Sequence, residues 1–147
     1  MKNISPSGTV YWLMMQVMFQ AKHRMHEIAE KHGLTMMQSN TLVMLKESEP
    51  LAMRVLSDNF MCDASNVTGL TDRLEALSLV ERQDHPTDRR IKLIALTNKG
   101  AMLRELIIAE IVAAEGARLD PILSEGEQKI LQELLQKIVN TPTEKPA

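Results

Sequence analysis

The residues best suited to chemistry lie in a short charged segment, residues 84–90, which reads DHPTDRR. It separates LVERQ from IKLIALT, two runs rich in strand-forming residues, and Pro86 marks the turn. An arginine on a narrow projection suits the minor groove of DNA, where negative potential is concentrated. An aspartate two residues away can hold that guanidinium by a two-pronged hydrogen bond. Asp88 and Arg90 are the predicted pair, and Arg89 adds a second cation at the tip. An ordinary charged, solvated hairpin end remains the alternative.

The segment before this hairpin, residues 63–77, predicts a helix with one polar face suited to the major groove. Small polar side chains near the start of such a helix allow close approach of the backbone and can bond to bases or phosphates. An ordinary solvated amphipathic helix has the same pattern. The inward stripe consists of Val67, Leu70, Leu74 and Leu77. The outer face carries Ser65, Thr68, Gly69 and Asp72, with Asn66 and Arg73 on its flank.

Other kinds of chemistry find little support in the sequence. No nucleophile–base pairing, phosphate-binding loop or catalytic metal set is evident, so an enzyme and a bound cofactor are not expected. His23 and His26 lie three residues apart on a predicted helix, but no further ligands complete a metal site. Cys62, in the turn before the polar helix, is either a small buried side chain or a redox-sensing thiol.

Composition limits the class of protein. The chain has 147 residues and a formal net charge of −2, which argues against non-specific coating of nucleic acid but allows a local basic patch. A single cysteine excludes an internal disulfide and fits a reducing compartment. The apolar stretch 10–19 lacks a cleavage site, and no run approaches about 18 apolar residues. We therefore expect a cytoplasmic protein without a membrane span.

The N-terminal half of the chain predicts four helices, at about 10–32, 35–49, 52–60 and 63–77. Gly33 stands where the cap of the first helix belongs. Thr35 and Gln38, in TMMQ, predict a capping box that opens the second, which should end near Glu47–Glu49 before Pro50. Asp63 is the predicted cap of the fourth.

The C-terminal half predicts a hairpin, built from LVERQD and IKLIALT, and two further helices. Thr97 is placed to cap a helix reaching about Arg118. SEGE at 124–127 predicts a second capping box, which opens the last amphipathic helix. The tail, residues 141–147, is expected to fray.

This element order predicts a mainly α fold with a small β-hairpin wing, a winged helix-turn-helix. One hairpin is not stable alone, so it must pack on the two helices before it. Residues 35–97 are then the DNA-binding lobe. Residues 1–34 and 98–147 form a helical dimerisation region, through which N- and C-terminal helices pair two copies.

The segment ASNVTGLTDRLEALSLVERQDHPTDRRIKLIALTNKG, residues 64–100, resembles the MarR family of bacterial regulators. The resemblance implies a homodimeric repressor that binds a short palindromic DNA site. It makes Arg90 the minor-groove contact and places Arg73 near the phosphates. Two positions depart from the pattern. Gly69 stands where many members have a basic residue, and Ser78 where many have glycine, so Ser78 must take a left-handed conformation or the turn must differ.

Helices that are apolar almost all round support the homodimer. LIIAEIVAA (106–114) and YWLMM (11–15) have more apolar surface than so short a chain can cover. The last helix adds Ile130, Leu131, Leu134, Leu135 and Ile138.

The family resemblance also implies a small-molecule effector, commonly an aromatic or phenolic acid, that releases the DNA. The candidate contacts on the first helix are Tyr11, Met14, Met18 and His23, although ordinary packing explains each of them singly. Two other functions stay open: a winged-helix protein-interaction module without DNA binding, and a repressor that senses oxidants through Cys62.

Overall fold

A computed structural model describes residues 5–141, which form six helices and three short strands. They are α1 (Pro6–Lys31), α2 (Met36–Met44), β1 (Leu51–Ala52), α3 (Met53–Phe60), α4 (Ala64–Ala76), β2 (Val80–Asp84), β3 (Lys92–Leu96), α5 (Asn98–Leu119) and α6 (Glu125–Asn140). This architecture confirms the predicted mainly α fold with a β wing. Most of the expected frayed tail, residues 142–147, lies outside the described residues.

The contacts divide the chain between Ile111 and Val112 into two compact units. The first contains α1 to α4, the sheet and the first turns of α5. The second contains the last turns of α5 and all of α6. The predicted division into a lobe of residues 35–97 and a dimerisation region of residues 1–34 and 98–147 stays a prediction.

Three of the four predicted N-caps, Thr35, Thr97 and Ser124, make their cap hydrogen bonds. Thr35 Oγ1 accepts from Gln38 N at 3.3 Å, and the Gln38 side chain returns a bond to Thr35 N at 2.8 Å. The same reciprocal pair joins Ser124 and Glu127, and its hydrogen bonds lower the pKa of the Glu127 carboxyl. Thr97 Oγ1 accepts from Gly100 N at 3.0 Å. Local sequence therefore determines where α2, α5 and α6 begin.

The segment after α2 differs from the prediction. The helix ends at Met44, before the expected Glu47–Glu49, because Leu45 takes an extended conformation and its side chain enters the core. A tight turn follows, closed by a bridge between Lys46 and Glu49. Strand β1, Leu51–Ala52, was not predicted, and the helix expected at about 52–60 follows it as α3.

The sheet has the order β1-β3-β2, and both pairings are antiparallel. Leu51 of β1 pairs with Ile94, which also lies opposite Arg82 of β2. Ile94 points into the core of the first unit and is fully buried. The core consists of Ala29, Leu34, Leu42, Leu45, Leu56, Val67, Leu70, Leu74, Leu79, Val80, Ile94 and Ile107. Helices α3 and α4 and the wing thus share one core, which fixes both helices relative to the strands.

The second unit is a helical hairpin. Gln128 Nε2 donates to Asp120 Oδ1 at 3.2 Å and to Leu123 O at 3.0 Å, so the start of α6 is tied to the turn before it. An apolar groove runs along the unit and includes Leu119, Leu123, Leu131, Leu135 and Val139.

Candidate nucleic-acid interface

Helix α4 presents the predicted polar face to solvent. Val67, Leu70 and Leu74 are buried, as expected, and so is Thr71, whose hydroxyl donates to Val67 O at 2.9 Å. The side chains of Ser65, Asn66, Thr68, Asp72 and Arg73 are exposed, and Gly69 is half-buried. A Cβ built on Gly69 meets no atom within 4 Å, so this face is open to an approaching ligand.

Two details of α4 differ from the prediction. Asp63 occupies the N-cap position with extended backbone, but its side chain makes no cap hydrogen bond. Leu77, expected in the apolar stripe, is 41% exposed because the helix ends at Ala76 and the chain turns. Ser78 completes that turn with φ of 57°, so of the two alternatives that its place in the motif left open, the left-handed conformation is the one adopted.

At the wing tip, Asp88 and Arg90 form the predicted two-pronged pair. Arg90 Nε donates to Asp88 Oδ1 and an Arg90 guanidinium NH2 group donates to Oδ2, both at 3.1 Å, while Arg90 N also donates to Oδ1 at 3.0 Å. The side chain of Arg90 is nevertheless 91% exposed. The hydrogen bonds from Arg90 lower the pKa of the Asp88 carboxyl, and Asp88 raises the pKa of the Arg90 guanidinium. The pair therefore stays charged, with its cation directed outward.

The tip itself is held by short-range hydrogen bonds. His85 N donates to Ile91 O at 3.2 Å, and Ile91 N donates to Asp88 O at 3.0 Å. Thr87 N donates a hydrogen bond to His85 Nδ1 at 3.3 Å. Arg89 is exposed beside the pair. The wing thus presents two neighbouring arginines, of which Arg90 has a defined direction.

Arg82 on β2 makes the most extensive polar network at the site, which sequence reasoning missed. Its guanidinium donates to the carboxylates of Asp72 and Glu75, the latter at 2.7 Å. It also donates to Thr71 Oγ1 at 2.8 Å. The signal in the sequence was the pair of carboxylates on α4, three residues apart, facing the strand that follows.

The root of the wing is fastened to the start of α5. Thr97 Oγ1 donates to Ser78 O at 2.7 Å, and Thr97 N donates to Leu79 O at 3.1 Å. Lys99 Nζ donates to Leu77 O at 2.8 Å. Gly100 is buried against Leu79, where a Cβ would lie 1.8 Å from the carbonyl oxygen. We call these contacts the wing-root junction.

The four candidate effector contacts on α1 are not gathered into one cavity. Tyr11, Met14 and Met18 lie on its exposed surface. His23 lines an open depression and pairs with Glu27 at 3.4 Å. The other residues lining that depression are Phe19, Lys22, His26 and Met36.

Cysteine and metal chemistry find no assembled site in the described part of the chain. Cys62 is half-buried and packs against the core of the first unit. Between residues 5 and 141, no three His, Cys, Asp or Glu side chains are grouped to hold a metal ion. None of the helices described is long and apolar enough to cross a membrane.

Helices α1 and α6 each expose a continuous apolar surface. On α1 it consists of Val10, Tyr11, Trp12, Leu13, Met14, Val17, Met18 and Phe19, each at least 38% exposed. On α6 it consists of Ile130, Leu131, Leu134, Leu135, Ile138 and Val139. Contiguous apolar surface of this kind marks an interaction site.

Comparison with known proteins agrees with this geometry. Residues 34–92 match the family model described as the MarR family. The HTH-type transcriptional repressor MdtR of Bacillus subtilis is 33% identical over 98 residues, covering 66% of this chain and 63% of MdtR. The crystal structure of apo wild-type MarR from E. coli is 25% identical, with a TM-score of 0.77 over 94% of this chain and 99% of that one.

A second solved structure was determined with a ligand. CouR from Rhodococcus jostii RHA1, bound to p-coumaroyl-CoA, is 26% identical, with a TM-score of 0.72 over 98% of this chain and 100% of that one. The neighbours are winged-helix transcriptional regulators, not enzymes, which confirms the predicted fold class and the expectation that the chain is not an enzyme.

Proposed function

We propose that this chain, a MarR-family transcriptional regulator whose MarR domain spans residues 34–92, binds a palindromic site on double-stranded DNA as a homodimer and represses transcription there. The repressor role is carried over from the printed name of MdtR. We place the protein in the cytoplasm, where that DNA lies.

The observation that carries the proposal is that the open polar face of α4 and the outward-directed Arg90 belong to the same compact unit. A recognition helix places its first residues against base edges in the major groove. Ser65, Asn66, Thr68 and Gly69 occupy that part of α4, and Arg73 lies one turn later, in reach of phosphates. Arg90, with Arg89 beside it, enters the adjacent minor groove.

The exposed apolar surface of α1 supports the proposed homodimer. A monomer leaves that surface in water, whereas a twofold axis covers it with its own copy. Two recognition helices then lie about 34 Å apart, one turn of DNA, which is why the site is palindromic. Light scattering at micromolar concentration is expected to give twice the chain mass. Val17→Glu, at a position 51% exposed on α1, should shift the protein toward monomer.

A small aromatic or phenolic molecule is the proposed effector. It binds beside α1, near Tyr11, Met14, Met18 and His23. It releases DNA because it has a higher affinity for the conformation of the dimer in which the spacing of the two recognition helices does not match the operator. The CouR structure, bound to p-coumaroyl-CoA, supports an aromatic acyl ligand by analogy. Phenolic acids should therefore raise the Kd for DNA.

The DNA proposal is tested by selecting duplexes from random-sequence DNA and measuring affinity by fluorescence anisotropy at several salt concentrations. Arg90→Ala should weaken binding and reduce the slope of log Kd against log salt by about 2, because each subunit of the dimer loses one cationic contact. Lys46→Ala is the matched control, because Lys46 is also an exposed cation with a neighbouring carboxylate partner, Glu49 at 2.8 Å, but lies off the proposed interface. Absence of any sequence preference in the wild-type protein would refute the proposal.

A further inference from the structure

We propose that Arg82 is a positioning residue for DNA recognition: together with Arg73 it balances the charges of Asp72 and Glu75 on α4, and it fastens that helix to the wing without itself contacting DNA. This inference rests on the proposed DNA-binding function and assigns a role to a residue outside the proposed contact set.

The contacts of Arg82 are directed toward α4. One terminal nitrogen of the guanidinium donates to Glu75 Oε2 at 2.7 Å. The other donates to the Asp72 carboxylate, to Thr71 Oγ1 at 2.8 Å and to Thr68 O at 3.4 Å. Both terminal nitrogens are therefore occupied by one helix. The side chain is 29% exposed, against 91% for that of Arg90.

Charge explains why this arrangement matters for a polyanionic ligand. Helix α4 carries one cation, Arg73, and two carboxylates, Asp72 and Glu75, so alone it presents a net negative charge. Asp72 lies on the outer face, where the phosphates of a bound duplex would approach. Arg82 neutralises this excess at contact distance, so the helix can enter the groove without carboxylate–phosphate repulsion.

Position is the second consequence of the network. Thr68, Thr71, Asp72 and Glu75 span two turns of α4, and all four meet one guanidinium on β2. A planar group with several donors in fixed directions holds such a set more rigidly than a lysine would. The angle between recognition helix and wing is thereby set by a polar contact as well as by the shared core.

The inference is tested with three proteins: wild type, Arg82→Gln, and the triple variant Arg82→Gln/Asp72→Asn/Glu75→Gln. The probe is a duplex selected by the wild-type protein, and each variant is measured at a temperature where circular dichroism shows it folded. Arg82→Gln should weaken binding by at least about tenfold, with a salt slope within about half a unit of wild type. The triple variant should recover most of the lost affinity, because the uncompensated carboxylates are gone. A role in folding alone would not give this recovery.

Two results would overturn the inference. A salt slope lowered by about 2 in Arg82→Gln, one unit for each subunit, without recovery in the triple variant, would identify Arg82 as a phosphate contact. Wild-type affinity in Arg82→Gln would show that the network is irrelevant to recognition.

Hydrogen exchange without DNA separates this inference from the wider proposal. Amides of α4 should exchange faster in Arg82→Gln than in wild type, by about tenfold, while those of α1 stay unchanged. Equal exchange in α4 would refute the anchoring role whether or not the protein binds DNA. If the wild type shows no sequence preference, the DNA-binding proposal fails, and exchange still decides whether Arg82 holds the helix.

Discussion

Gly100 at the wing-root junction should tolerate no side chain at all. A Cβ at this position would lie 1.8 Å from Leu79 O, 2.8 Å from Leu79 C and 3.3 Å from Leu79 Cα. Every one of these atoms belongs to the backbone, so no side-chain rotation relieves the overlap. The start of α5 and the start of β2 must therefore separate by about 1.2 Å before the oxygen contact reaches the 3.0 Å that real Cβ atoms require.

That separation acts on the hydrogen bonds of the same junction. Thr97 N to Leu79 O is 3.1 Å and Thr97 Oγ1 to Ser78 O is 2.7 Å, so lengthening either by more than 1 Å breaks it. Overpacking costs about 1–3 kcal/mol, and each lost hydrogen bond about 1 kcal/mol. We therefore expect Gly100→Ala to lower the free energy of unfolding by at least about 3 kcal/mol. For a chain of this size the Tm should fall by about 6–12 °C.

Thermal unfolding followed by circular dichroism, at one fixed protein concentration for all variants, provides the measurement. The matched control is Gly69→Ala, also within a helix, where a Cβ meets nothing within 4 Å. There the loss of backbone freedom in the unfolded chain should raise stability by about 0.5–1 kcal/mol. If Gly100→Ala melted within 1 °C of wild type, roughly the precision of such scans, or rose with the control, the packing argument would be wrong.

Three further outcomes are expected. Leu56→Ala, at a core position 0% exposed, should cost about 2–5 kcal/mol, seen as a lower urea midpoint at unchanged slope; a smaller loss would mean the cavity collapses. Thr35→Ala, which removes the acceptor for Gln38 N, should cost about 1 kcal/mol by thermal melting, whereas Thr35→Ser should match wild type. The hydrogen bonds from Arg90 lower the pKa of Asp88 in the folded protein. The Asp88–Arg90 ion pair is therefore fully formed at any pH above the usual pKa range of aspartate, and it is lost only when the pH falls through the lowered pKa. The contribution of this ion pair to DNA affinity should therefore stay constant between about pH 5 and 7. A change of affinity in that pH window that the wild type shows and Arg90→Ala lacks would contradict the assignment.

Much of the fold could be predicted because its signals are local. Capping boxes at Thr35 and Ser124 require only residues three positions apart, and the structure has both. The Asp88–Arg90 pair was predictable for the same reason, since both partners lie within one turn. The family resemblance reduced Ser78 to two alternatives, a left-handed residue or a different turn, and the structure has the first.

Features that depend on distant partners were missed. Strand β1 has only two residues, and it exists because Leu51 pairs with Ile94, forty-three positions further along the chain. The role of Arg82 was missed because its partners, Asp72 and Glu75, lie seven to ten positions earlier on α4, and only the folded chain brings them to its guanidinium. Met61 ends α3 with φ of 48°, a conformation for which its side chain gives no signal.

The exposed surface of α1 contains the chain's single tryptophan, Trp12, together with its single tyrosine, Tyr11. Near-ultraviolet light absorbed by the protein is therefore collected almost entirely by this one helix. An indole 48% exposed emits at longer wavelength than one enclosed by hydrocarbon. The unlabelled protein thus carries its own optical probe: its emission colour, followed on dilution, reports directly whether anything covers that helix.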